Sequence, residues 1–185
     1  MNKKDTVVFD LDGTLLDTLE DLKNSVNYAM TQCGYPEHTL DEVRRYVGNG
    51  ILLLMQRAIP EGKNDPNFDK AFTLFKEHYG KHCNDTTKPY AGIMELLHTL
   101  KENNIKIAIV SNKADFAVKE LNAIYFKDLI LVAIGEKESE GIRKKPAPDT
   151  VIEALKQLGS TAENSVYIGD SDVDNETARN SGMDE

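Results

Sequence analysis

Two aspartates separated by one residue stand near the start of the chain, in the segment Asp10-Leu11-Asp12-Gly13. Side chains two positions apart in an extended backbone point to the same side, so the two carboxylates could share one cation. Oxygen ligands of this kind suit a hard divalent ion such as Mg²⁺. A turn followed by a helix N-cap also favours Asp and Gly, so the pair alone leaves both interpretations open.

Three further polar segments occur later in the chain. Ser111-Asn112-Lys113 offers a hydroxyl, an amide and backbone N–H groups that could hold anionic oxygens. Lys145 precedes Pro146, which restricts the lysine backbone to extended conformations and could aim its ammonium group in a fixed direction. The segment 169–174, Gly-Asp-Ser-Asp-Val-Asp, adds three carboxylates. Taken singly, these segments are explained equally well by helix caps and a solvated lysine.

Apolar runs that precede or lead into these polar segments predict the strands that would position them. They span residues 6–9, 105–110, 129–134 and 166–168. Segments with helical periodicity separate the later runs, for example at 93–100 and 114–124. The alternation predicts an α/β fold with a Rossmann-like parallel sheet, whose crossovers are right-handed. The four polar segments would then meet at the carboxyl end of the sheet, where such folds bind ligands.

Residues 17–88 depart from this alternation, because they contain several helical patterns and no convincing strand. Thr39 and Glu42 have capping-box spacing, and Asp65-Pro66 suits an N-cap followed by the first helical position. The helix expected there carries an apolar stripe, formed by Phe68, Phe72, Phe75 and Tyr79. We therefore predict an all-α domain at 17–88, inserted into a core domain made of residues 1–16 and 89–185.

The composition indicates a soluble globular protein. The chain has 185 residues, with 22 basic and 31 acidic side chains and a net charge of −9, which disfavours nucleic acid as a partner. Its apolar stretches are far shorter than the roughly 18 residues of a membrane span, and Met1-Asn2-Lys3-Lys4 leads into a strand rather than a secretory signal. We expect a cytoplasmic protein without a membrane partner, in which Cys33 and Cys83 are free thiols.

Taken together, the polar segments resemble the four ordered signatures of the haloacid dehalogenase superfamily. The matching residues are Asp10-Leu11-Asp12-Gly13-Thr14-Leu15-Leu16-Asp17-Thr18, Ser111-Asn112-Lys113, Lys145-Pro146 and Gly169-Asp170-Ser171-Asp172-Val173-Asp174. Residues 17–88 resemble the helical cap of the branch that includes phosphoglycolate phosphatases and β-phosphoglucomutases. Within it, Val47-Gly48-Asn49-Gly50 followed by Gln56-Arg57-Ala58 is more similar to the phosphatase pattern than to that of the mutases.

The resemblance implies a phosphomonoester hydrolase that uses Mg²⁺ and an aspartyl-phosphate intermediate. It assigns nucleophilic attack on phosphorus to Asp10, proton transfer to Asp12 and the catalytic cation to Lys145. The metal ligands would be Asp10, the main-chain carbonyl of Asp12, and Asp170. Asp174 would orient these ligands from behind, although direct ligation is also open. An ionised carboxylate needs no activating base, which agrees with the role given to Asp10.

The resemblance also implies the substrate contacts. Ser111 and the Asn112 amide would hold the transferring oxygens, while Gly48, Asn49 and Arg57 would reach the substrate from the cap, which would close over the site. The substrate would be a small phosphorylated metabolite, with 2-phosphoglycolate the first expectation. The protein would act as a monomer or homodimer.

Two alternatives stay open. A phosphomutase of the β-phosphoglucomutase type uses the same aspartyl-phosphate, so the core signatures do not separate it from a phosphatase. A phospho-receiver signalling domain also combines an acidic pair, a Ser or Thr and a Lys-Pro on a parallel sheet. Such a domain, however, carries its phosphorylated aspartate after a later strand and has no inserted helical domain.

Members of the superfamily usually continue past the fourth signature with another strand and helix, whereas this sequence stops at Glu185. If the protein ends there, the strand expected at 165–169 has an open edge. An open edge predicts lower stability or self-association.

Overall fold

The computed structural model describes residues 4–184. Its chain divides into two compact units: unit 1 comprises the residues up to Leu16 and from Pro89 onward, and unit 2 comprises Asp17–Lys88. Over residues 4–184, no helix is both long enough and apolar enough to cross a membrane.

The described part of the chain contains six strands, eight α-helices and three short 3₁₀ helices, at Gly62–Asn64, Glu138–Glu140 and Ala162–Asn164. The strands are β1 (Thr6–Phe9), β2 (Leu16–Asp17), β3 (Lys88–Pro89), β4 (Lys106–Ala114), β5 (Val132–Glu136) and β6 (Ser165–Ile168). The helices are α1 (Leu19–Gln32), α2 (Leu40–Tyr46), α3 (Ile51–Ala58), α4 (Phe68–His82), α5 (Ile93–Glu102), α6 (Asp115–Tyr125), α7 (Asp149–Leu158) and α8 (Asp172–Ser181). Strands β2 and β3 pair with each other.

The main sheet lies in unit 1 and has the strand order β5-β4-β1-β6, with every neighbouring pair parallel. The α/β class and the parallel sheet predicted from the sequence are thereby confirmed. Side chains alternate between two apolar clusters: Phe9 and Ile109 lie in one, and Val8 and Ala108 lie in the other. Because both faces are covered, residues 7–9 of β1 and 107–110 of β4 are continuously apolar instead of alternating with polar residues.

Strands β4 and β5 differ from the prediction by several residues, and β6 begins one residue earlier, at Ser165. Strand β4 continues to Ala114 with a register shift after Val110, so that the polar segment 111–113 lies inside the strand instead of following it. Strand β5 begins at Val132, because the N–H groups of Leu129 and Ile130 donate to the carbonyl of Phe126 and close a turn. The buried side chains of Leu129 and Ile130 explain their apolar character without a strand.

The outer edge of β6 is partly paired. The N–H of Tyr167 donates to the carbonyl of Asp184 at 2.8 Å, and Val166 and Asp184 form an isolated parallel bridge. Part of the edge expected to be open is therefore hydrogen-bonded by the chain itself. Self-association stays a prediction.

Unit 2 is helical around its own apolar core. Phe68, Phe75 and Tyr79 of α4 are buried and Phe72 packs against the same cluster, as the stripe predicted. The predicted capping box is also confirmed: the Thr39 hydroxyl accepts from the N–H of Glu42, and the Glu42 carboxylate accepts from the N–H of Thr39.

The predicted start of α4 at Asp65-Pro66 is wrong. The helix begins at Phe68 with Asn67 as its N-cap residue. The Asp65 carboxylate accepts instead from the N–H of Asn67 at 2.8 Å and from the hydroxyl of Tyr35 at 2.5 Å. It thus closes the turn before the helix, as Asp side chains often do.

A buried carboxylate ties α1 to the end of unit 2. Asp21 is 1% exposed and accepts hydrogen bonds from the N–H and hydroxyl groups of both Thr86 and Thr87, at 2.6 to 3.1 Å. Burial alone would raise the pKa of Asp21, but these hydrogen bonds outweigh it and the pKa is lowered.

We expect Asp21→Asn to lower the free energy of unfolding at pH 7 by about 2–3 kcal/mol, because an amide replaces a charged acceptor of several hydrogen bonds. Since the folded-state pKa is depressed, the stabilisation is complete above the unfolded-state pKa of about 3.9 and is lost as the pH falls through the folded-state value. The free energies of unfolding of wild type and Asp21→Asn should therefore approach each other as the pH falls. Urea denaturation of both proteins from pH 7 to pH 3 measures this. Asp69→Asn, at an exposed position of α4, is the control. If the free energies of unfolding of wild type and Asp21→Asn differ by the same amount down to pH 3, the stabilisation does not come from the charge of Asp21.

Candidate active site

The carboxyl ends of neighbouring strands bring the four polar segments together. Asp10 directly follows β1, whose Phe9 is in register with Ile109 of β4 and Ile168 of β6. Lys145 lies in the connection between β5 and α7, before a cis peptide bond to Pro146.

Lys145 is the centre of a buried charge cluster. Its Nζ atom lies 2.8 Å from Asp10 Oδ1, 2.7 Å from Asp174 Oδ1 and 3.0 Å from the hydroxyl oxygen of Tyr167. All four side chains belong to residues that are at most 7% exposed. The ammonium group therefore holds two carboxylates that are distant in sequence, at a place where water screens charge poorly.

Burial and charge act against each other in this cluster. Burial raises the pKa of Asp10 to about 6, although the attraction of Lys145 opposes the shift. For Lys145 burial would lower the pKa, but its neighbours Asp10, Tyr167 and Asp174 raise it well above its usual value. For Asp174 burial is outweighed by Lys145 and by hydrogen bonds, and the pKa is lowered. Asp10 is thus the carboxylate whose ionised form is least well compensated by the protein.

Asp170 and Asp174 complete a group of three carboxylates. Oxygens of Asp10, Asp170 and Asp174 lie within 4.8 Å of one another. Asp174 is fixed by donors on both oxygens: Lys145 and Tyr167 donate to Oδ1, while the N–H and hydroxyl of Ser171 donate to Oδ2 as part of the capping box of α8. Asp170 is exposed by surface area, but the protein around it still removes part of the water from its carboxylate. This partial desolvation, followed by the charge of Asp174, raises its pKa.

Two glycines allow this convergence. Gly13 has a positive φ of 87°, and a Cβ atom on it would overlap Asp170 Oδ2. A Cβ atom on Gly169 would overlap the side chain of Asp174. The backbone at these positions approaches the carboxylates so closely that only glycine fits.

Asp12 has a partner that the sequence analysis did not identify. Lys113 Nζ donates to Asp12 Oδ1 at 2.8 Å, and the lysine side chain is 3% exposed. Ser111 and Lys113 are two positions apart and would share a side of an extended segment, but the sequence does not indicate that the strand continues to Ala114. Tyr167 was also missed. A tyrosine within a buried strand needs a partner for its hydroxyl group, and here the partners are Lys145 and Asp174.

The two remaining core candidates lie beside this cluster. Ser111 is buried, and its hydroxyl oxygen accepts from the N–H of Lys113 at 3.3 Å. The side-chain amide of Asn112 donates to the carbonyl of Lys145 at 3.1 Å, so it supports the loop that carries the lysine. The predicted contact of these residues with substrate oxygens stays a prediction.

The three cap candidates lie in unit 2. Gly48 and Asn49 are in the connection between α2 and α3, and Arg57 is on α3. Arg57 donates to Asn49 Oδ1 at 2.9 Å and to the carbonyl of Tyr46 at 2.8 Å. The guanidinium group therefore joins two of the predicted residues within this unit, and their contact with substrate stays a prediction.

The residues of unit 1 fit a divalent cation. Three carboxylates converge within 4.8 Å, and carboxylate oxygens are the ligands that Mg²⁺ prefers. The four carboxylates of Asp10, Asp12, Asp170 and Asp174 meet only the ammonium groups of Lys113 and Lys145 in the contacts described above. With all four carboxylates ionised, two formal negative charges are left over, and a divalent ion would balance them.

Comparison with known proteins identifies the family of this chain. The sequence profile described as "Haloacid dehalogenase-like hydrolase" matches residues 7–185. The phosphoglycolate phosphatase of Aquifex aeolicus is 32% identical over 180 residues, which cover 95% of this chain and 80% of that protein. The enzyme of the same name from Thiobacillus denitrificans is 32% identical over 182 residues, covering 95% and 79%.

A solved structure is similar over almost the whole chain. The crystal structure of a protein from Lactobacillus delbrueckii subsp. bulgaricus, which carries the provisional name phosphoglycolate phosphatase, superposes with a TM-score of 0.93 and 37% identity. The superposition covers 99% of this chain and 85% of the other.

Proposed function

This chain belongs to the haloacid dehalogenase-like hydrolases and is a phosphatase of that family, and we propose that it hydrolyses 2-phosphoglycolate through an aspartyl-phosphate on Asp10. The observation that supports the proposal best is the surrounding of Asp10. Its buried carboxylate contacts Lys145 at 2.8 Å and lies with Asp170 and Asp174 in one carboxylate cluster.

In the first half of the proposed reaction, a carboxylate oxygen of Asp10 attacks phosphorus and the bond from phosphorus to the alcohol oxygen breaks. Lys145 contacts Oδ1, which leaves Oδ2 as the attacking atom. Asp12 gives a proton to the departing alcohol. General acid catalysis of this kind contributes about 10²- to 10⁴-fold in rate.

In the second half, water attacks the phosphorus of the aspartyl-phosphate, and Asp12 takes the proton of that water. The bond from phosphorus to Asp10 breaks, inorganic phosphate leaves and the Asp10 carboxylate is regenerated. One ester and one water are consumed, and one alcohol and one phosphate are formed.

Mg²⁺ would be held by Asp10, Asp170 and the main-chain carbonyl of Asp12. Asp174 would orient the site, since its two oxygens already accept from Lys145, Tyr167 and Ser171. When bound, the ion supplies positive charge beside the phosphoryl oxygens. Ser111 and the backbone N–H of Asn112 would bind those oxygens from the end of β4.

The choice of 2-phosphoglycolate rests on the names of the two bacterial relatives. We assign unit 2 the role of the substrate-selecting cap, with Gly48, Asn49 and Arg57 as its substrate contacts. A guanidinium group is suited to the carboxylate of this substrate, since it can donate two parallel hydrogen bonds.

A panel of phosphate esters tests the proposal. Metal-free protein is assayed with 2-phosphoglycolate, with and without added Mg²⁺, and with β-glucose 1-phosphate for isomerisation. We expect many turnovers of phosphate release from 2-phosphoglycolate, only with Mg²⁺, and no isomerisation. Faster isomerisation would make the protein a mutase. Uptake of one phosphoryl group without turnover would make it a receiver domain.

A further inference from the structure

The buried ammonium group of Lys113 has no role in the proposed reaction so far. Its Nζ atom is 2.8 Å from Asp12 Oδ1, and its side chain is 3% exposed. The two residues are 101 positions apart in the sequence. The contact therefore depends on the tertiary structure and on the end of β4, which carries Lys113.

Such a pair is expensive to bury. Removing an ammonium and a carboxylate from water is unfavourable for each ion, and the attraction between them offsets this cost only when the geometry is good. A surface pair of the same unit has no such cost: Lys119 and Asp115 also form an ion pair, but the lysine side chain is 60% exposed. Burial of Lys113 against Asp12 thus favours the orientation in which Asp12 Oδ1 faces the ammonium group.

The restriction is specific for one oxygen of Asp12. Lys113 donates to Oδ1, and the lysine backbone is itself fixed, since its N–H donates to the Ser111 hydroxyl oxygen. With Oδ1 held by an ammonium group, Oδ2 is the oxygen left to exchange a proton with a reacting group. The direction of proton donation is then defined by the protein.

We propose that Lys113 is a positioning residue for proton transfer by Asp12, an inference that rests on the proposed function. As the bond from phosphorus to the leaving oxygen breaks, the proton moves from Asp12 Oδ2 to that oxygen. The electron pair stays on Asp12, which becomes a carboxylate stabilised by the ammonium group. Lys113 touches neither the phosphoryl group nor the leaving group in this scheme.

Substrates that differ in their need for a proton test this role. An alkyl phosphate such as 2-phosphoglycolate releases a strongly basic alkoxide, which must be protonated. p-Nitrophenyl phosphate releases a stable phenolate, which needs no proton. Loss of proton donation therefore affects the first substrate far more than the second, whereas simple damage to the fold affects both equally.

The experiment compares kcat/KM for the two esters in wild type and in Lys113→Met, which keeps the chain length and removes the charge. We expect a fall of about 100-fold for 2-phosphoglycolate and of less than about fivefold for p-nitrophenyl phosphate. The ratio of the two activities is independent of how much of a preparation is folded. Lys113→Gln provides the same ratio if the Met variant is poorly soluble.

Two further variants define the outcome. Asp12→Asn should show the same selective loss, and adding Lys113→Met to it should leave the ratio unchanged, because both act on one step. Lys119→Met, which removes the ammonium of the exposed pair, should keep the wild-type ratio.

An equal loss on both esters in the Lys113 variants, with an active wild type, would overturn the inference and leave the proposed function in place. A wild type that hydrolyses neither ester would overturn both. A selective loss in the Lys113→Met, Asp12→Asn double variant beyond that of Asp12→Asn would also overturn the inference, since Lys113 would then act on a different group.

Discussion

Replacing Asp10 by Asn is expected to lower kcat for phosphate release by at least about 10⁴-fold, because an amide cannot serve as the nucleophile that forms the covalent intermediate. Substrate binding should change much less, because Lys145, Ser111 and the backbone at the strand ends are retained. Phosphate release at saturating 2-phosphoglycolate and Mg²⁺ measures the effect.

The stability of this variant separates chemistry from folding. Because burial raises the folded-state pKa of Asp10 to about 6, its ionised form destabilises the folded protein, and the loss develops as the pH rises through that value. Asp10→Asn in metal-free buffer at pH 7 should therefore have the same urea midpoint as wild type or a higher one. Only a midpoint so low that the variant is unfolded in the assay buffer would assign the loss of activity to misfolding.

A matched carboxylate provides the control. Asp172 is the first residue of α8 and is exposed. In the sequence it lies between Asp170 and Asp174. Asp172→Asn should retain kcat within about twofold, as expected for a surface substitution. Near-wild-type turnover by Asp10→Asn would remove Asp10 as the nucleophile.

The second large effect is expected for Lys145→Met. The ammonium group holds Asp10 at 2.8 Å and Asp174 at 2.7 Å, and removing it leaves two buried carboxylates without their partner. We expect kcat/KM to fall by about 10²- to 10³-fold, as when a preorganised donor is lost. The free energy of unfolding should fall by about 3–5 kcal/mol. Steady-state kinetics and urea denaturation measure the two effects.

The neighbouring lysine is a close control. Lys144 forms an ion pair with Glu138 at 3.0 Å in a partly exposed position. Such pairs contribute up to about 1 kcal/mol, so Lys144→Met should be nearly as stable and as active as wild type. A Lys145→Met protein with wild-type stability and activity would show that the buried contacts of Lys145 contribute neither to folding nor to catalysis.

The parts of the fold that follow from local pattern could be predicted from the sequence. Strand β1 has the predicted bounds, because a short β-branched and aromatic run ends at an Asp-rich turn. Asp10, Lys145 and Asp174 meet at the carboxyl end of the sheet. This follows from the alternation of strands and helices, which determines where the strand ends lie.

Contacts that depend on tertiary register could not be predicted in the same way. The polar residues of 111–113 interrupt an apolar run, which conceals that the backbone stays extended to Ala114. The partnership of Lys113 with Asp12 depends on that extension and on a sequence separation of 101 residues. The predicted N-cap role of Asp65 was wrong for a related reason. Its carboxylate accepts a hydrogen bond from the hydroxyl of Tyr35, which is distant in sequence.

The most direct test of the account is to locate the phosphoryl group during turnover. Protein mixed with 2-phosphoglycolate and Mg²⁺ is quenched in acid, digested and analysed by mass spectrometry. We expect one phosphoryl group on the peptide that contains Asp10 in wild type, and none in Asp10→Asn. Multiple turnovers with no phosphorylated peptide, or with the phosphoryl group on another residue, would contradict it.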